Sequence, residues 1–362
     1  MSRDLLVIAA GGTAGHMFPA QSLAEAWLAQ GGRVTLSTDA RGARYTSGFP
    51  KAVKIDVLSS ATFARGGLLA KLLVPFKILA GTLGARSRFR ADRPAIVVGF
   101  GGYPSIPAMA AARLMGLPRI LHEQNGVLGR TNQLFVRHVS MVACGTWPTA
   151  LPDGVPHEFT GNPVRQSIRD VAGAAYPSME GSLRVVVFGG SQGSTIVSDS
   201  AAEALGALPT DLREKLRVTH QARDADQEKA RAIYEKAGVS AEVTDFISDM
   251  DQQLKEAHLV VCRSGASSVA DVSAVGRPAI FIPLAIAIRD EQTANAEAMH
   301  QAGAALVIQE RDLTPEGLAS EVAKILQDPA KAAQMAAAAK SCGRPDATQA
   351  LLDIAQKLAE KD

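Results

Sequence analysis

The sequence contains few cysteines, few aromatic residues and no long apolar run. Its three cysteines, Cys144, Cys262 and Cys342, lie far apart, with no CxxC pair and no histidine at a metal-ligand spacing. The sequence therefore supports neither a disulfide framework nor a zinc site, and a reducing compartment fits best. No stretch approaches the roughly 20 apolar residues needed to span a bilayer, so any membrane contact should be peripheral. The opening run, residues 5–10, is too short for the core of a signal peptide and predicts a buried strand.

Net charge is also small. The 38 lysines and arginines nearly balance 36 aspartates and glutamates, which gives a formal charge of +2. So small an excess does not favour nucleic-acid binding across the whole surface. Apolar residues make up 47% of the chain and glycine occurs 32 times, a composition typical of soluble α/β enzymes. At 362 residues the chain exceeds what one hydrophobic core usually organises, which predicts two domains.

The chain has the pattern of two similar halves. Short apolar runs alternate with helix-like segments throughout, which predicts parallel sheets with crossover helices. The same opening occurs twice, because an apolar run precedes a glycine-rich loop at residues 11–15 and again at residues 189–193. Each half should therefore begin with a strand, a glycine turn and a helix, as Rossmann-like domains do.

A proline- and glycine-rich stretch, residues 151–163, separates the two halves and marks the boundary between them. We predict an N-terminal domain over residues 1–160 and a C-terminal domain over residues 161–340. Residues 341–362 should form a terminal helical segment, because their apolar residues have helical spacing. That helix could pack back on the N-terminal domain.

The two glycine loops are candidates for binding phosphate. A glycine pair after a buried strand leaves amide groups exposed near a helix N-terminus, where an anion is favoured. Neither loop matches GxGxxG or the Walker A pattern, and an isolated glycine pair more often only permits a tight turn. Their recurrence, once in each half, favours a ligand held in a cleft between the domains. In the second loop the candidate contacts are Gly190, Ser191 and Gln192.

Two side chains in the first half could act as a general base. His16 follows the first glycine loop and should stand at the start of a helix, where an imidazole can transfer protons near neutral pH. Glu123, in the run HEQN at residues 122–125, follows another strand and is the second candidate. A helix-capping histidine and a loop salt bridge are the alternatives. Asn125 offers a donor and an acceptor to a sugar hydroxyl.

The second half contains another strand followed by small residues, at 259–268, where Ser264 and Gly265 could hold phosphate. Asp271 could accept hydrogen bonds from ribose, although an acidic residue near a helix N-terminus is common without a ligand. Gln292 opens a further helix and could hold the sugar. Two DxD sequences, at 224–226 and 249–251, match metal-dependent transferases. We interpret the first as solvated residues within a charged helical stretch and the second as a helix start, and we predict no metal and no cofactor.

An amphipathic segment with a basic end lies at residues 69–93. Leu69, Leu72, Leu73, Phe76, Leu79 and Leu83 share one helical stripe, and Lys71, Lys77, Arg86, Arg88, Arg90 and Arg93 lie beside or after it. Such a stripe often packs on a sheet. The cations favour instead a face that meets anionic phospholipid. Pro75 should kink or interrupt the helix.

Six motifs together resemble those of the MurG family, the peptidoglycan N-acetylglucosaminyltransferases. They are GGTAGH at 11–16, GGY at 101–103, HEQN at 122–125, GNPVR at 161–165, GGSQG at 189–193 and CRSGA at 262–266. Each motif alone is weak, but jointly and in this order they are specific. The resemblance implies a GT-B fold, in which two Rossmann-like α/β domains face each other across a cleft.

The resemblance also implies which residues meet the donor, UDP-N-acetylglucosamine. Carried over to matching positions, they are Thr13, Ala14, Gly15, Asn125, Arg165, Ser191, Ile247 and Gln292. Two positions depart from the family pattern, since the family usually has glycine at Ala14 and glutamate at Asp271. The first departure adds a methyl group to a tight loop, and the second shortens a proposed ribose ligand.

The activity that the resemblance implies is an inverting transfer. The C4 hydroxyl of N-acetylmuramic acid in lipid I would attack the donor sugar, UDP would leave, and lipid II would form, at the cytoplasmic face of the bacterial inner membrane. The expected partners are UDP-N-acetylglucosamine, lipid I and an anionic membrane surface, with other cell-wall synthesis proteins as further candidates. A UDP-N-acetylglucosamine 2-epimerase and a non-enzymatic sugar-nucleotide sensor are the rival functions.

Overall fold

The structure is a computed structural model that describes residues 4–11, 14–60, 73–190 and 193–360. The chain forms two compact units. Unit 1 comprises Met1–Arg165 together with Asp346–Asp362, and unit 2 comprises Gln166–Pro345. The boundary at Arg165 directly follows the proline- and glycine-rich stretch of the sequence. Among the described residues, no helix combines the length and the apolar character needed to cross a bilayer.

Unit 1 is built on a parallel sheet with strand order β3-β2-β1-β4-β5-β6-β7. Its strands are β1 (Leu5–Ala9), β2 (Arg33–Thr38), β3 (Lys54–Val57), β4 (Ile96–Gly99), β5 (Arg119–Glu123), β6 (Met141–Cys144) and β7 (His157–Phe159). Its helices are α1 (Ala14–Ala29), α2 (Val74–Ala91), α3 (Ile106–Leu114), α4 (Arg130–Phe135) and α14 (Ala347–Ala359). The central strands are almost wholly apolar because helices cover both faces of the sheet.

The two faces of this sheet are covered by different helices. Apolar residues of α1 and α14 share one core cluster with Leu6 and Ile8 of β1. Residues of α2, α3 and α4 pack with the alternate side chains of the same strand, Leu5 and Val7. The last helix of the chain therefore belongs to unit 1, where Leu351 and Ala355 are fully buried.

Unit 2 repeats the plan with strand order β10-β9-β8-β11-β12-β13, again all parallel. Its strands are β8 (Leu183–Phe188), β9 (Leu216–Gln221), β10 (Ser240–Thr244), β11 (Leu259–Cys262), β12 (Ala279–Phe281) and β13 (Ala305–Val307). Its helices are α5 (Gln166–Asp170), α6 (Thr195–Gly206), α7 (Thr210–Lys215), α8 (Asp224–Ala237), α9 (Met250–Glu256), α10 (Ala266–Val275), α11 (Glu291–Gln301), α12 (Pro315–Leu326) and α13 (Pro329–Cys342). Short 3₁₀ helices lie at Gly42–Tyr45, Tyr103–Ser105, Val136–His138, Ile288–Asp290 and Glu310–Asp312.

Pro75 lies at the start of α2, and residues 61–72, on which the expected kink or interruption also depends, lie outside the described ranges. The helix begins at Val74, which places the proline in its first turn. A proline there removes only an N–H group that would have no partner within the helix, and its fixed φ suits a helix start. The eighteen residues of α2 then continue without a break to Ala91.

A buried arginine fixes the start of unit 2. Arg277, which is fully buried, donates to the main-chain carbonyls of Ala174, Ala175, Leu254 and Lys255. Burial without a carboxylate partner lowers the pKa of its guanidinium to about 10. These bonds tie the segment after α5 to α9, so this segment is part of the folded unit.

Candidate functional site

In each sheet the order of the strands reverses at one point, and there the loops after two adjacent strands diverge. In unit 1 this point lies between β1 and β4, and in unit 2 between β8 and β11. Open parallel sheets bind ligands at such switch points, outside the carboxyl ends of the strands. Most of the predicted site residues lie on the loops and helix starts at these two points.

His16 lies in the first turn of α1, beside the loop that follows β4. A Cβ added at Gly101, where φ is +91°, would lie 3.3 Å from Nε2 of His16, so the imidazole rests against this loop. The histidine keeps part of its surface open to solvent. Enclosure by protein atoms nevertheless lowers its pKa to about 4, although a hydrogen bond with the Gly11 backbone acts in the opposite direction. At neutral pH the ring is uncharged and can accept a proton.

His122 is a second uncharged imidazole in this region. It is fully buried next to Phe100, with ring centroids 5.2 Å apart, and burial lowers its pKa to about 4. The amide of Gln124 bonds both Nδ1 of His122, at 3.1 Å, and the carbonyl oxygen of Phe100, at 3.0 Å. His122 therefore packs in the interior of unit 1, next to Phe100, the residue that follows β4.

Glu123 is buried, and both of its carboxylate oxygens accept hydrogen bonds. Only 1% of it is exposed. One carboxylate oxygen accepts from the backbone N–H and the side chain of Asn125, at 3.1 and 3.2 Å. The other accepts from the backbone N–H of Gly129 and from Asn132, both at 2.8 Å. Burial is the largest influence and raises the pKa of the carboxyl, while these hydrogen bonds lower it.

The geometry around Glu123 bears on its predicted role as a base, which stays a prediction. A base must reach the proton that it removes, whereas both oxygens of this carboxylate are engaged with their own loop. Its four bonds instead hold the turn that carries Asn125, the residue expected to meet the sugar. Asn132 was missed by the sequence argument, because nothing in the sequence indicates that α4 returns to the carboxylate.

The switch point of unit 2 is rich in cations and amides. Ser194 caps α6, its hydroxyl accepting from the backbone N–H of Val197 at 3.4 Å. Arg263, only 5% exposed, donates to the same hydroxyl at 3.0 Å and to the carbonyl oxygens of Ile282 and Pro283. It also forms an ion pair with Glu310, with Nη1 2.7 Å from Oε2. Arg263 therefore supports the residue that closes the glycine loop.

The remaining predicted residues of unit 2 lie around this point with different exposure. Gly190 is half-buried with φ +80°, and Gly265 immediately precedes α10. Ser264 is fully buried, and its carbonyl accepts from the amide of Asn295 at 3.1 Å. The Ser264 hydroxyl is therefore enclosed by protein, and its contact with phosphate stays a prediction. Asp271 is half-buried in α10.

Ile247 and Gln292 occupy the ends of other elements of unit 2. Ile247 is 7% exposed and follows Phe246, whose side chain is largely exposed after β10. Gln292 lies in the first turn of α11, where its side-chain oxygen accepts from the backbone N–H of Leu284 at 3.1 Å. In unit 1, the guanidinium of Arg165 lies 5.6 Å from the ring centroid of Phe18.

Some predicted positions lie outside the described residues. They are Thr13, Ser191 and Gln192 of the two glycine loops, and Leu69, Lys71 and Leu72 of the amphipathic segment. Ala14 and Gly15 open α1.

The two DxD sequences occur at helix starts. Asp226, in the first turn of α8, accepts from the hydroxyl of Thr195 at 2.8 Å. Asp249 precedes α9 and accepts from the amide of Gln253 at 2.8 Å. Within the ranges that the structure describes, no group of three or more His, Cys, Asp or Glu side chains could hold a metal ion.

The outer face of α2 is apolar. Leu73, Phe76, Leu79 and Leu83 are between 51% and 69% exposed, whereas Val74, Ala85 and Phe89 point into the core. Lys77, Arg88 and Arg90 are exposed on the same helix, and Nε of Arg86 is buried. The described part of the predicted stripe therefore faces solvent.

Family models match both parts of the chain. The glycosyltransferase family 28 N-terminal domain matches residues 6–144, and the family 28 C-terminal domain matches residues 184–356. Together they cover most of the two units described above.

Named relatives match nearly the whole chain. It is 44% identical to the UDP-N-acetylglucosamine–N-acetylmuramyl-(pentapeptide) pyrophosphoryl-undecaprenol N-acetylglucosamine transferase of Phenylobacterium zucineum, over 99% of both chains. It is 43% identical to the enzyme of the same name from Caulobacter vibrioides, over 98% of this chain and 99% of the relative.

Solved structures also match the chain over nearly its full length. The crystal structure of MurG from Acinetobacter baumannii matches with a TM-score of 0.81 at 31% identity, over 98% of this chain and 99% of that one. A putative UDP-N-acetylglucosamine 2-epimerase from Listeria monocytogenes matches over 100% and 98% with a TM-score of 0.71, but at 16% identity this likeness shows the fold alone.

Proposed function

Since the chain belongs to the MurG family within glycosyltransferase family 28, we propose that it transfers N-acetylglucosamine from UDP-N-acetylglucosamine to lipid I, giving lipid II in peptidoglycan synthesis. The observation that carries this proposal is the identity of 40–44% to transferases of that name over nearly the full length. The two parallel-sheet domains are those of a GT-B glycosyltransferase. The 2-epimerase alternative is not favoured, because its structural match has only 16% identity.

Unit 2 supplies the groups suited to the donor diphosphate. The leaving UDP develops negative charge, which preorganised amides and cations stabilise in the transition state. The start of α6, capped by Ser194, and the start of α10 after Gly265 offer backbone amides. The buried guanidinium of Arg263 donates a hydrogen bond to the hydroxyl of Ser194. Gln292, Asp271 and Ile247 are the proposed contacts to sugar, ribose and uracil.

Unit 1 supplies the proposed acid–base group. His16 is neutral at physiological pH because enclosure lowers its pKa to about 4. It can accept the proton of the C4 hydroxyl as that oxygen attacks the anomeric carbon and the bond to UDP breaks, which inverts the configuration to β. Glu123 positions Asn125 and Asn132 through its hydrogen bonds.

One incubation separates the candidate functions. Labelled UDP-N-acetylglucosamine is mixed with a lipid I analogue, and the label is followed into lipid and into free nucleotide sugar. We expect incorporation into lipid with stoichiometric release of UDP. Epimerised nucleotide without lipid product would indicate the 2-epimerase, and binding without conversion would indicate a sensor.

The outer face of α2 is our proposed membrane contact. An acceptor with a long lipid tail stays in the bilayer, so the enzyme must reach it at the surface. Apolar area contributes about 25 cal/mol per Å² when it leaves water, and each basic residue near anionic lipid adds about 1 kcal/mol. Leu73, Phe76, Leu79 and Leu83 supply the apolar part, with Lys77 and Arg90 beside them. With this contact, we propose that the protein is a peripheral protein at the cytoplasmic face of the inner membrane.

Vesicle binding tests this contact. The double change Lys77→Glu and Arg90→Glu should weaken binding to anionic vesicles by about tenfold or more at low salt, because it reverses two charges. Affinity for UDP should not change. The matched control is Arg217→Glu, an exposed cation of unit 2. Equal vesicle binding by the double variant and the wild type would contradict this placement.

A further inference from the structure

Arg223 is a cation that none of the sequence motifs includes. It lies between β9 and α8 in unit 2 and is exposed. Its Nη2 donates to the carbonyl oxygen of Gly193 at 2.9 Å, and its Nη1 lies 3.5 Å from the hydroxyl of Thr195. The guanidinium therefore spans the last residue of the glycine loop and the first residue of α6.

Gly193 has no side chain that would collide with Arg223. Its φ is +65°, in the region that glycine favours. A Cβ at this position would lie 2.8 Å from Cγ of Arg223, closer than real side chains approach. The stem of Arg223 thus packs where a side chain would otherwise stand, while its head group bonds the carbonyl of the same residue.

A second contact joins α8 to the first residue of α6. The hydroxyl of Thr195 donates to Asp226 at 2.8 Å, and the backbone N–H of Asp226 bonds the carbonyl of Arg223 at 2.8 Å. On the buried side, Arg263 holds Ser194. Residues 193–195 are therefore held from both sides, by an exposed arginine and by a buried one.

We propose that Arg223 is a positioning residue for the donor diphosphate. It fixes the Gly193 peptide and the first turn of α6, so that the amides there keep the orientation that an incoming diphosphate needs. Preorganised amides bind an anion better than amides that must first become ordered. This inference rests on the proposed function, because it assumes that UDP binds at this loop.

Binding of two ligands tests the proposal. UDP and uridine, which lacks the diphosphate, are titrated by calorimetry into the wild type, Arg223→Ala, Arg223→Lys and the control Lys229→Ala. Lys229 lies on the same helix and pairs with Asp199 of α6 at 2.7 Å, so the control removes a similar cation at a distance from the loop.

We expect a loss of binding affinity only for the ligand that carries the diphosphate. Arg223→Ala should weaken UDP binding about tenfold, the size of one charge-assisted hydrogen bond, and leave uridine binding within about twofold of the wild type. In turnover, the KM for UDP-N-acetylglucosamine should rise while kcat changes little. Arg223→Lys should recover only part of the affinity because it keeps the charge but loses the two-pronged contact, and Lys229→Ala should match the wild type.

Several outcomes would overturn the proposal. Unchanged UDP affinity in Arg223→Ala would remove Arg223 from the site. An equal loss of uridine affinity would indicate a general structural role, and full recovery by Arg223→Lys would show that charge alone matters. If the wild type itself bound no UDP, the proposed function would fail first, which separates the two failures.

Discussion

The switch points of the two sheets share a backbone plan and differ in chemistry. In unit 1 the side chains around the point are His16, His122 and Glu123, all enclosed, with both histidine pKa values lowered to about 4 and the carboxyl pKa raised. In unit 2 they are Arg263 and Arg223, next to the amides that open α6. One unit is thus suited to moving a proton, and the other to holding an anion.

The difference shows how a repeated fold acquires two roles. Strand, turn and helix provide exposed amides and a ligand position in both units, independently of the residues that follow each strand. The residues at the strand ends then decide the chemistry. If this division is correct, changes in unit 1 should affect turnover, and changes in unit 2 should affect donor affinity and stability.

The largest expected effect is on turnover. His16→Ala should lower kcat by roughly 10²–10⁴-fold, the usual cost of losing a general base, while Kd for UDP stays within about twofold of the wild type. Steady-state kinetics with a lipid I analogue and calorimetry with UDP measure the two quantities. His138→Ala, which changes an exposed histidine of the same unit, is the control. Near-normal turnover of His16→Ala would end the assignment of acid–base chemistry to unit 1.

A buried cation should matter for stability in unit 2. Arg263→Met removes the cation that pairs with the carboxylate of Glu310 and the donor to the carbonyl oxygens of Ile282 and Pro283. We expect a loss of about 3 kcal/mol in the free energy of unfolding and weaker UDP binding, measured by urea denaturation and calorimetry. Glu310→Gln keeps an acceptor for Arg263 and should cost less. An Arg263→Met variant as stable as the wild type would show that the ion pair is not needed.

Glu123→Gln tests the proposed positioning role of Glu123. The amide has the shape of the carboxylate, but its NH₂ group would point at N–H donors, either those of Asn125 or those of Gly129 and Asn132. We expect a loss of about 2 kcal/mol in stability and a higher KM for the donor, because Asn125 loses its support. The exposed Glu158→Gln is the control. A collapse of kcat with unchanged KM and stability would instead identify Glu123 as the base.

The smallest expected effect is the dependence of turnover on pH. With a pKa of about 4, His16 is already neutral at pH 6. Its titration should therefore change kcat/KM by less than about twofold between pH 6 and 8. Its acid limb should lie near pH 4–5. An acid limb near pH 6.5 that disappears in His16→Ala would show that the imidazole titrates with its ordinary pKa.

Stability needs a parallel measurement, because the same groups act on folding. His16, His122 and His220 have folded-state pKa values of about 4, below the ordinary 6.5, so they favour the folded state above pH 6.5. That contribution is lost as pH falls from 6.5 towards 4. Glu123 has a raised pKa, so its contribution is lost as pH rises through that value. Urea denaturation at each pH separates unfolding from titration of the site.

The sequence predicted the repeated elements well because local rules determine them. The strand before Gly11 is a continuous apolar run, and the strand before Gly189 is apolar except for the exposed Arg184. Parallel strands buried on both faces have that pattern. The glycine turns and the helices after them follow from backbone preferences within a few residues. The family resemblance, confirmed by the relatives, carried the function further than residue patterns alone could.

Long-range pairing was not predictable in the same way. The role of Glu123 depends on Gly129 and Asn132, which the chain brings back only when α4 packs on the sheet. Arg263 and Glu310 are far apart in sequence, and no periodicity links them. The stripe on α2 was ambiguous because an apolar helical face fits either a sheet or a membrane, and only packing shows that Val74 and Phe89 supply the core instead.

The placement of α14 has a consequence for how the protein is made. The core of unit 1 includes Leu351, Leu352 and Ala355, which the ribosome adds only after all of unit 2. Domains usually fold in the order of their synthesis. Here all residues of unit 2 have been synthesised at Pro345, whereas unit 1 still lacks α14 at that point. The apolar side of α1 and β1 that α14 covers stays exposed until Ala347–Ala359 has been synthesised. A chain cut short before Ala347 would expose that surface permanently, so early termination should yield aggregates rather than a folded fragment.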